Sequence, residues 1–145
     1  MTEREEKAKE WLNRNYGRSL EITAMKRRLE RMESNLEKVC KPLRLKEVQE
    51  GHDGNSQESM MAEYLDLAAD IERREFVLEC ADTETQKVID KVEGSILRTV
   101  LIERYINRLR WKDLCDALHF ERSWLFEIHK QALDAVLPFI PEEVK

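Results

Sequence analysis

Two long stretches of this sequence place apolar residues at alternating spacings of three and four, the heptad pattern of helices that pack along one narrow seam. The first seam runs from Ile22 to Val39, and the second runs from Met60 to Val92 with Arg74 as its main interruption. The first comprises Ile22, Met25, Leu29, Met32, Leu36 and Val39, and the second Met60, Tyr64, Leu67, Ile71, Arg74, Leu78, Ala81, Thr85, Val88 and Val92. Two such helices predict an antiparallel hairpin, and we interpret both seams as packing surfaces.

The residues that flank the first seam set the expected bounds of its helix. Thr2 followed by Glu5 is a capping-box pattern, which predicts a helix that begins near Glu3. Pro42 predicts that this helix ends a few residues before it, which gives one continuous helix about 55 Å long at 1.5 Å per residue. Residues 41–58 carry proline, glycine, aspartate, asparagine and serine, and therefore predict the loop of the hairpin.

The C-terminal part of the chain has a different apolar spacing, typical of two short helices joined by a tight turn. Its apolar positions are Leu114, Leu118, Phe120, Leu125 and Ile128. This spacing is typical of the helix-turn-helix arrangement, which can present its second helix to a DNA major groove. His129 falls near the inward edge of that second helix, so we predict a hydrogen-bonded core position for it rather than a catalytic or metal-binding one.

These patterns predict an all-α protein with two regions. Gly94 fits a helix C-terminus, and Ser95 fits the cap of the next helix. Residues 1–93 are expected to form a long antiparallel, coiled-coil-like helical hairpin that makes the protein a homo-oligomer. Residues 94–140 are expected to form a C-terminal helix-turn-helix domain.

The charge of the chain bounds what it is expected to bind. Lys and Arg total 25 against 30 for Asp and Glu, a formal net charge of −5, which argues against a general nucleic-acid coat protein. The three cysteines are far apart and predict reduced thiols in a cytoplasmic protein. No apolar run approaches the length that spans a bilayer, and the N-terminus is unlike a secretion signal, so no membrane partner is expected.

Several short segments of the C-terminal part resemble region four of bacterial sigma factors. The resemblance is closer to a group of phage and prophage proteins that includes late-gene transcriptional regulators. The segments are Arg104-Tyr105, then Trp111, then Leu114, Cys115 and Leu118 in the scaffold helix, then His129, Lys130, Ala132 and Leu133 at the end of the second helix, with Ala8 to Leu12 near the start of the chain. This resemblance implies a promoter-binding regulator that works with RNA polymerase or a phage protein. His119 stands where that group usually has glycine, and Glu121 stands where it usually has a capping serine.

The second helix of this motif offers a polar outer face. If Leu125 and Ile128 point inward, Ala132 and Val136 do as well, and the candidate DNA-contacting residues point outward. These candidates are Arg122, Ser123, Phe126, Glu127 and Lys130 on the second helix, with Arg108, Arg110 and Lys112 at the entry to the first. Basic and hydroxyl side chains suit phosphates, while Glu127 and Phe126 suit a cytosine amine and a thymine methyl group.

A second reading keeps the same helices but gives them a protein partner. Trp124 and Phe126 beside Glu127 make a face that also suits a protein, so the alternative is an interaction adaptor or a DNA-packaging factor of the small-terminase or terminase-redirecting kind. The sequence contains no HExxH motif, no phosphate-binding glycine loop and no nucleophile paired with a base. We therefore expect no enzymatic activity, no metal and no cofactor.

Overall fold

The computed structural model describes residues 2–46 and 53–141, and every regular element in these ranges is helical, which confirms the all-α prediction. The elements are α1 (Glu3–Leu12), α2 (Tyr16–Lys46), α3 (Asp53–Ile89), α4 (Ser95–Leu101), a π-helical segment (Ile102–Ile106), α5 (Trp111–Leu118), α6 (Arg122–Val136) and a final 3-10 turn (Leu137–Phe139). They form two compact units. The terminal unit comprises Met1–Gly17 and Glu79–Lys145, and the hairpin unit comprises Arg18–Leu78. The predicted division into regions 1–93 and 94–140 stays a prediction.

The first helix begins as predicted and ends earlier than predicted. The Thr2 hydroxyl accepts a hydrogen bond from the Glu5 backbone N–H, and the Glu5 carboxylate accepts one from the Thr2 N–H, which confirms the capping box. The prediction of one continuous helix up to Pro42 was wrong, because a turn at residues 13–15 separates α1 from α2. Two asparagines in this turn explain the break, since their short amides compete with helical backbone hydrogen bonds.

The hairpin connection is also shorter than predicted. The second helix continues past Pro42 to Lys46, and the third begins at Asp53, so both ends of the predicted loop at residues 41–58 are helical. One proline removes a single backbone donor, a loss that a long helix packed along its length can tolerate. The rest of the predicted loop, residues 47–52, lies outside the described residues.

The seam positions of the hairpin unit form the less exposed side of α2 and α3, as the heptad pattern predicts, with three of them buried and the others, apart from Arg74, half-buried. Ile22, Leu36 and Ile71 are each at most 7% exposed within the hairpin unit. Arg74, the predicted interruption, is exposed and pairs with Glu21 on α2. A second ion pair joins Lys26 Nζ to the Glu75 carboxylate at 2.6 Å. The two ion pairs show that α2 and α3 lie side by side in this unit.

In the terminal unit, α1 packs against α6 and the final 3-10 turn. Ala8 and Leu12 lie in one core with Leu133 and Val136. The members of this core are Ala8, Trp11, Leu12, Val88, Ile89, Val92, Leu101, Tyr105, Ala132, Leu133 and Val136. The first helix therefore belongs to the same unit as the C-terminal helices, a contact that heptad reasoning did not anticipate.

Gly94 begins a helix rather than ending one, so this prediction was wrong. The third helix ends at Ile89, and Gly94 is the N-cap of α4 with φ +108°. Its left-handed backbone explains the glycine, because a side chain there would be strained. No side chain caps α4, and Ser95, predicted to do so, is its first helical residue.

His119 ends α5 in the left-handed conformation, φ +58° and ψ +40°, the backbone that glycine, usual at this position in the resembled group, adopts most readily. His119→Gly is expected to raise the free energy of unfolding by up to about 1 kcal/mol, because glycine adopts this backbone without a Cβ penalty. The matched control is Ala117→Gly on the exposed side of α5, which should lower the free energy of unfolding by about 1 kcal/mol. Urea denaturation measures both, and a destabilised His119→Gly variant would contradict the strain argument.

Candidate nucleic-acid interface

The last long helix, α6, has one buried face and one exposed face, as the sequence predicts. The four residues predicted to point inward, Leu125, Ile128, Ala132 and Val136, are at most 4% exposed. Ser123, Phe126, Glu127 and Lys130 are exposed. The helix is therefore packed against the core from Leu125 to Val136, and its outward side chains project from a fixed backbone.

A smaller core joins α5 to α6. It consists of Val100, Leu114, Leu125 and Ile128, with Leu97, Leu109, Trp111, Cys115, Leu118 and Phe120 packed around it. The connecting turn is closed by a hydrogen bond from the Phe120 N–H to the Cys115 carbonyl oxygen at 3.2 Å. Glu121 then occupies the N-cap position of α6 without a side-chain capping bond. This arrangement fixes the first turn of α6 next to α5.

The basic side chains around α5 and α6 differ in how they are engaged. Arg110 is 82% exposed and forms a surface ion pair with Asp113 at 3.1 Å. Lys130 lies 4.0 Å from Glu127, one turn away on the same helix. Lys112 and Arg122 are exposed and have no carboxylate within 4.0 Å among the residues that the structure describes. Lys112 and Arg122 are therefore the basic groups most available to an anion.

Arg108 is placed differently from the other predicted site residues. Its Nη1 and Nη2 donate to the two carboxylate oxygens of Asp82 at 3.1 and 2.8 Å, and Nη1 also donates to the Ile106 carbonyl at 2.6 Å. The two side chains are 18% and 11% exposed. The backbone of Arg108 is left-handed, with φ +58°. The structure thus directs this guanidinium toward α3, and the predicted phosphate contact of Arg108 stays a prediction.

An aromatic cluster that sequence reasoning missed connects the outward face of α6 to the core. The Trp111 ring lies edge-on to Phe126 at 5.0 Å and to His129 at 4.7 Å between ring centroids. Arg104 lies 4.7 Å above the Trp111 ring, and Arg122 lies 5.5 Å from the Phe126 ring. Phe126 is half covered by these contacts, at 36% exposure, whereas Trp124 is 53% exposed. The Phe126 ring is thus the aromatic contact of Arg122 in the first turn of α6.

His129 lies at the inner end of this cluster and is hydrogen-bonded, as predicted. Its Nε2 is 2.5 Å from the Tyr105 hydroxyl oxygen, and the residue is 3% exposed. Burial, with smaller contributions from the positive charges of Lys9 and Arg104, lowers the pKa of His129 to about 4. Burial also raises the pKa of Tyr105. Both groups are therefore neutral at pH 7, which suits a structural hydrogen bond.

The charges on the outer side of α5 and α6 are balanced rather than strongly basic. Four basic residues, Arg110, Lys112, Arg122 and Lys130, lie among five acidic ones, Asp113, Asp116, Glu121, Glu127 and Asp134. Among the described residues, no group of three or more His, Cys, Asp or Glu side chains is placed to hold a metal ion. Within the same residues, no helix is both long and apolar enough to cross a membrane.

The comparison with known families assigns the chain to one of them. Residues 38–136 match the sequence profile of DUF1492, a family described as proteins of unknown function. The chain belongs to the DUF1492 family. No curated protein and no solved structure matches it. The matched part of this DUF1492 protein includes all of α3 to α6, and with them the whole candidate interface.

Proposed function

We propose that this protein is a sequence-specific DNA-binding transcriptional regulator of phage or prophage type. In this proposal α5, the turn at His119 and α6 are a helix-turn-helix with α6 as the recognition helix. The N-terminal helices make the protein a homo-oligomer. One observation carries the proposal. The inner side of α6 is packed into the two hydrophobic cores, its outer side is exposed, and the exposed cations Lys112 on α5 and Arg122 on α6 have no carboxylate partner among the described residues. The resemblance of this part to sigma region four supports the same conclusion.

Each exposed side chain has a defined role in this proposal. Lys112 and Arg122 bind phosphates on either side of the groove, and Ser123 and Lys130 contact phosphate or base edges. Phe126 and Glu127 lie between Ser123 and Lys130 on α6, and they contact a thymine methyl group and a cytosine amine respectively. Arg110 can join the phosphate contacts when it leaves Asp113. RNA polymerase or a phage protein completes the regulatory complex, and no catalytic step or cofactor is assigned.

Fluorescence anisotropy with DNA from the protein's own locus tests the proposal. Lys112→Ala and Arg122→Ala are each expected to weaken binding about 5- to 10-fold and to lower the salt slope of log K by about 1, because each removes one phosphate contact. Lys7→Ala is the matched control, since it removes one lysine from α1, which packs against the buried face of α6. The proposal fails if no complex forms at low salt, or if all three variants bind alike.

A protein-facing role is the second candidate, and the exposure of Trp124 favours it. An aromatic side chain that is 53% exposed beside the partly exposed Phe126 is the kind of residue that anchors protein interfaces. This candidate is an adaptor or a DNA-packaging factor. It predicts that Trp124→Ala abolishes a stoichiometric protein complex, whereas the regulator predicts that the lysine and arginine variants matter more.

A further inference from the structure

The third helix carries a second apolar face opposite its buried seam. Met61, Leu65 and Phe76 are 41%, 57% and 71% exposed, although residues this large are usually covered. At 100° per residue these three side chains share one side of α3, and Glu58 and Glu72 lie on the same side. We call these five residues the acidic face. It lies within the hairpin unit and ends in the most exposed aromatic residue there.

The second helix carries an outer face of opposite charge. Leu20 is 52% exposed, and Arg27, Arg31 and Lys38 are exposed along the same side of α2, away from its seam. Glu30 and Glu37 are the acids at the margin of this side. We call Leu20, Arg27, Arg31 and Lys38 the basic face. Among the residues that the structure describes, none of these three cations has a carboxylate within 4.0 Å. A row of cations beside a leucine is complementary to the acidic face.

The two faces also agree in length. The acidic face extends from Glu58 to Phe76 and the basic face from Leu20 to Lys38, so each extends about 27 Å at the helical rise of 1.5 Å per residue. The ion pair between Glu21 and Arg74 shows that these two residues lie at the same height along the axes of the antiparallel helices α2 and α3. Counted from it, Leu20 lies at nearly the same height as Phe76, and Lys38 at nearly the same height as Glu58. Arg27 lies within about one turn of Glu72.

We propose that the hairpin unit binds a second copy of this chain head to tail, with the acidic face of one copy against the basic face of the next. This inference rests on the homo-oligomer in the proposed function and identifies its surfaces; it does not require DNA binding. The two faces lie on opposite sides of the hairpin, so each copy uses both. Such heterologous contacts form a closed ring when the rotation between copies closes. In this contact Phe76 packs beside Leu20, and Glu58 and Glu72 pair with Lys38 and Arg27.

Charge favours this arrangement over a two-fold contact between two copies of α3. A two-fold contact between acidic faces with parallel helices would bring Glu58 and Glu72 toward their own copies, and like charges at an interface oppose binding. With antiparallel helices the two acids would meet no base of the facing copy. The head-to-tail contact brings each acid to a base and covers the three exposed apolar side chains at the same time. Surface burial supplies the affinity, and the charges select the partner and its register.

Sedimentation equilibrium of the full-length protein tests the proposal. The wild type is expected to have a mass of at least twice the 17.3 kDa of one chain at micromolar concentration. Phe76→Ala, Arg27→Glu and Glu72→Arg are each expected to weaken self-association at least about tenfold, with unchanged helical circular dichroism because all three sites are exposed. Ile96→Ala is the matched control, an exposed apolar residue outside both faces, and should not change the mass.

Mixing the two charge-reversal variants distinguishes the proposed contact from its alternatives. An equimolar mixture of Arg27→Glu and Glu72→Arg restores complementary charge at each contact between unlike variants and should recover self-association. The double variant Arg27→Glu/Glu72→Arg restores it at every head-to-tail contact and should recover the wild-type mass. A wild type that remains monomeric at about 100 μM, a concentration well above that needed by specific interfaces, overturns both this contact and the proposed oligomer. An oligomer that Arg27→Glu leaves intact and Phe76→Ala dissolves overturns the head-to-tail contact alone. DNA binding, measured separately by anisotropy, tests the regulator.

Discussion

Replacing Asp82 by asparagine is expected to lower the free energy of unfolding by about 3 kcal/mol, because the Arg108 guanidinium then loses the charge that compensates it. Two hydrogen bonds of 2.8 and 3.1 Å join these side chains, and both are largely buried. Breaking such a pair from one side leaves an unpaired buried charge, which costs more than the pair contributes as a whole. Urea denaturation at pH 7, followed by circular dichroism, measures the loss.

The control for this prediction is the surface pair between Arg110 and Asp113. Asp113→Asn removes an equivalent charge, but Arg110 is 82% exposed, so the expected loss is at most about 1 kcal/mol. Replacing both Asp82 and Arg108 by leucine should recover part of the loss, because no buried charge remains. Equal effects of Asp82→Asn and Asp113→Asn would contradict the assignment of Arg108 as a structural residue.

Acidification is expected to destabilise the terminal unit through His129. Histidine ordinarily takes up its proton near pH 6.5, whereas burial lowers the pKa of His129 to about 4 in the folded protein. Between these values the unfolded chain binds the proton more strongly, so stability present above pH 6.5 is lost as the pH falls toward 4. From pH 7 to pH 4.5 this one group should account for a loss of about 2.5 kcal/mol.

His129→Gln isolates the histidine from the carboxylates that titrate in the same range. Glutamine cannot take up a proton, and its amide can still form a hydrogen bond with the Tyr105 hydroxyl. The variant should be less stable than the wild type at pH 7 and lose about 2.5 kcal/mol less between pH 7 and pH 4.5, as measured by urea denaturation at both values. Parallel losses in the two proteins would show that His129 does not carry this pH dependence.

The sequence predicted those parts of the fold that depend on local periodicity. The seam positions Ile22 and Ile71 are buried because a heptad pattern constrains which side of a helix is apolar, whatever its partner. The inward face of α6 followed in the same way from the spacing of Leu125 and Ile128. The left-handed backbone of His119 fits the glycine that the resembled group usually has at this position.

The parts that were missed depend on contacts between residues distant in the chain. The break between α1 and α2 places Trp11 in a core with Val88 and Leu133, and nothing in the local spacing of α1 indicates those partners. The same holds for Arg108, whose partner Asp82 lies on another helix. Sequence spacing treated this arginine as one of three similar basic residues, and only the fold distinguishes it from Arg110 and Lys112.

The place of α1 in the terminal unit has a consequence for how the protein folds as it is synthesised. Ala8 and Leu12 leave the ribosome well before Leu133 and Val136, which complete their core. The terminal unit therefore cannot close until α6 has emerged, and the apolar side of α1 stays unburied while α2 to α5 are synthesised. A chaperone that binds exposed apolar segments would find its target in this first helix during that interval.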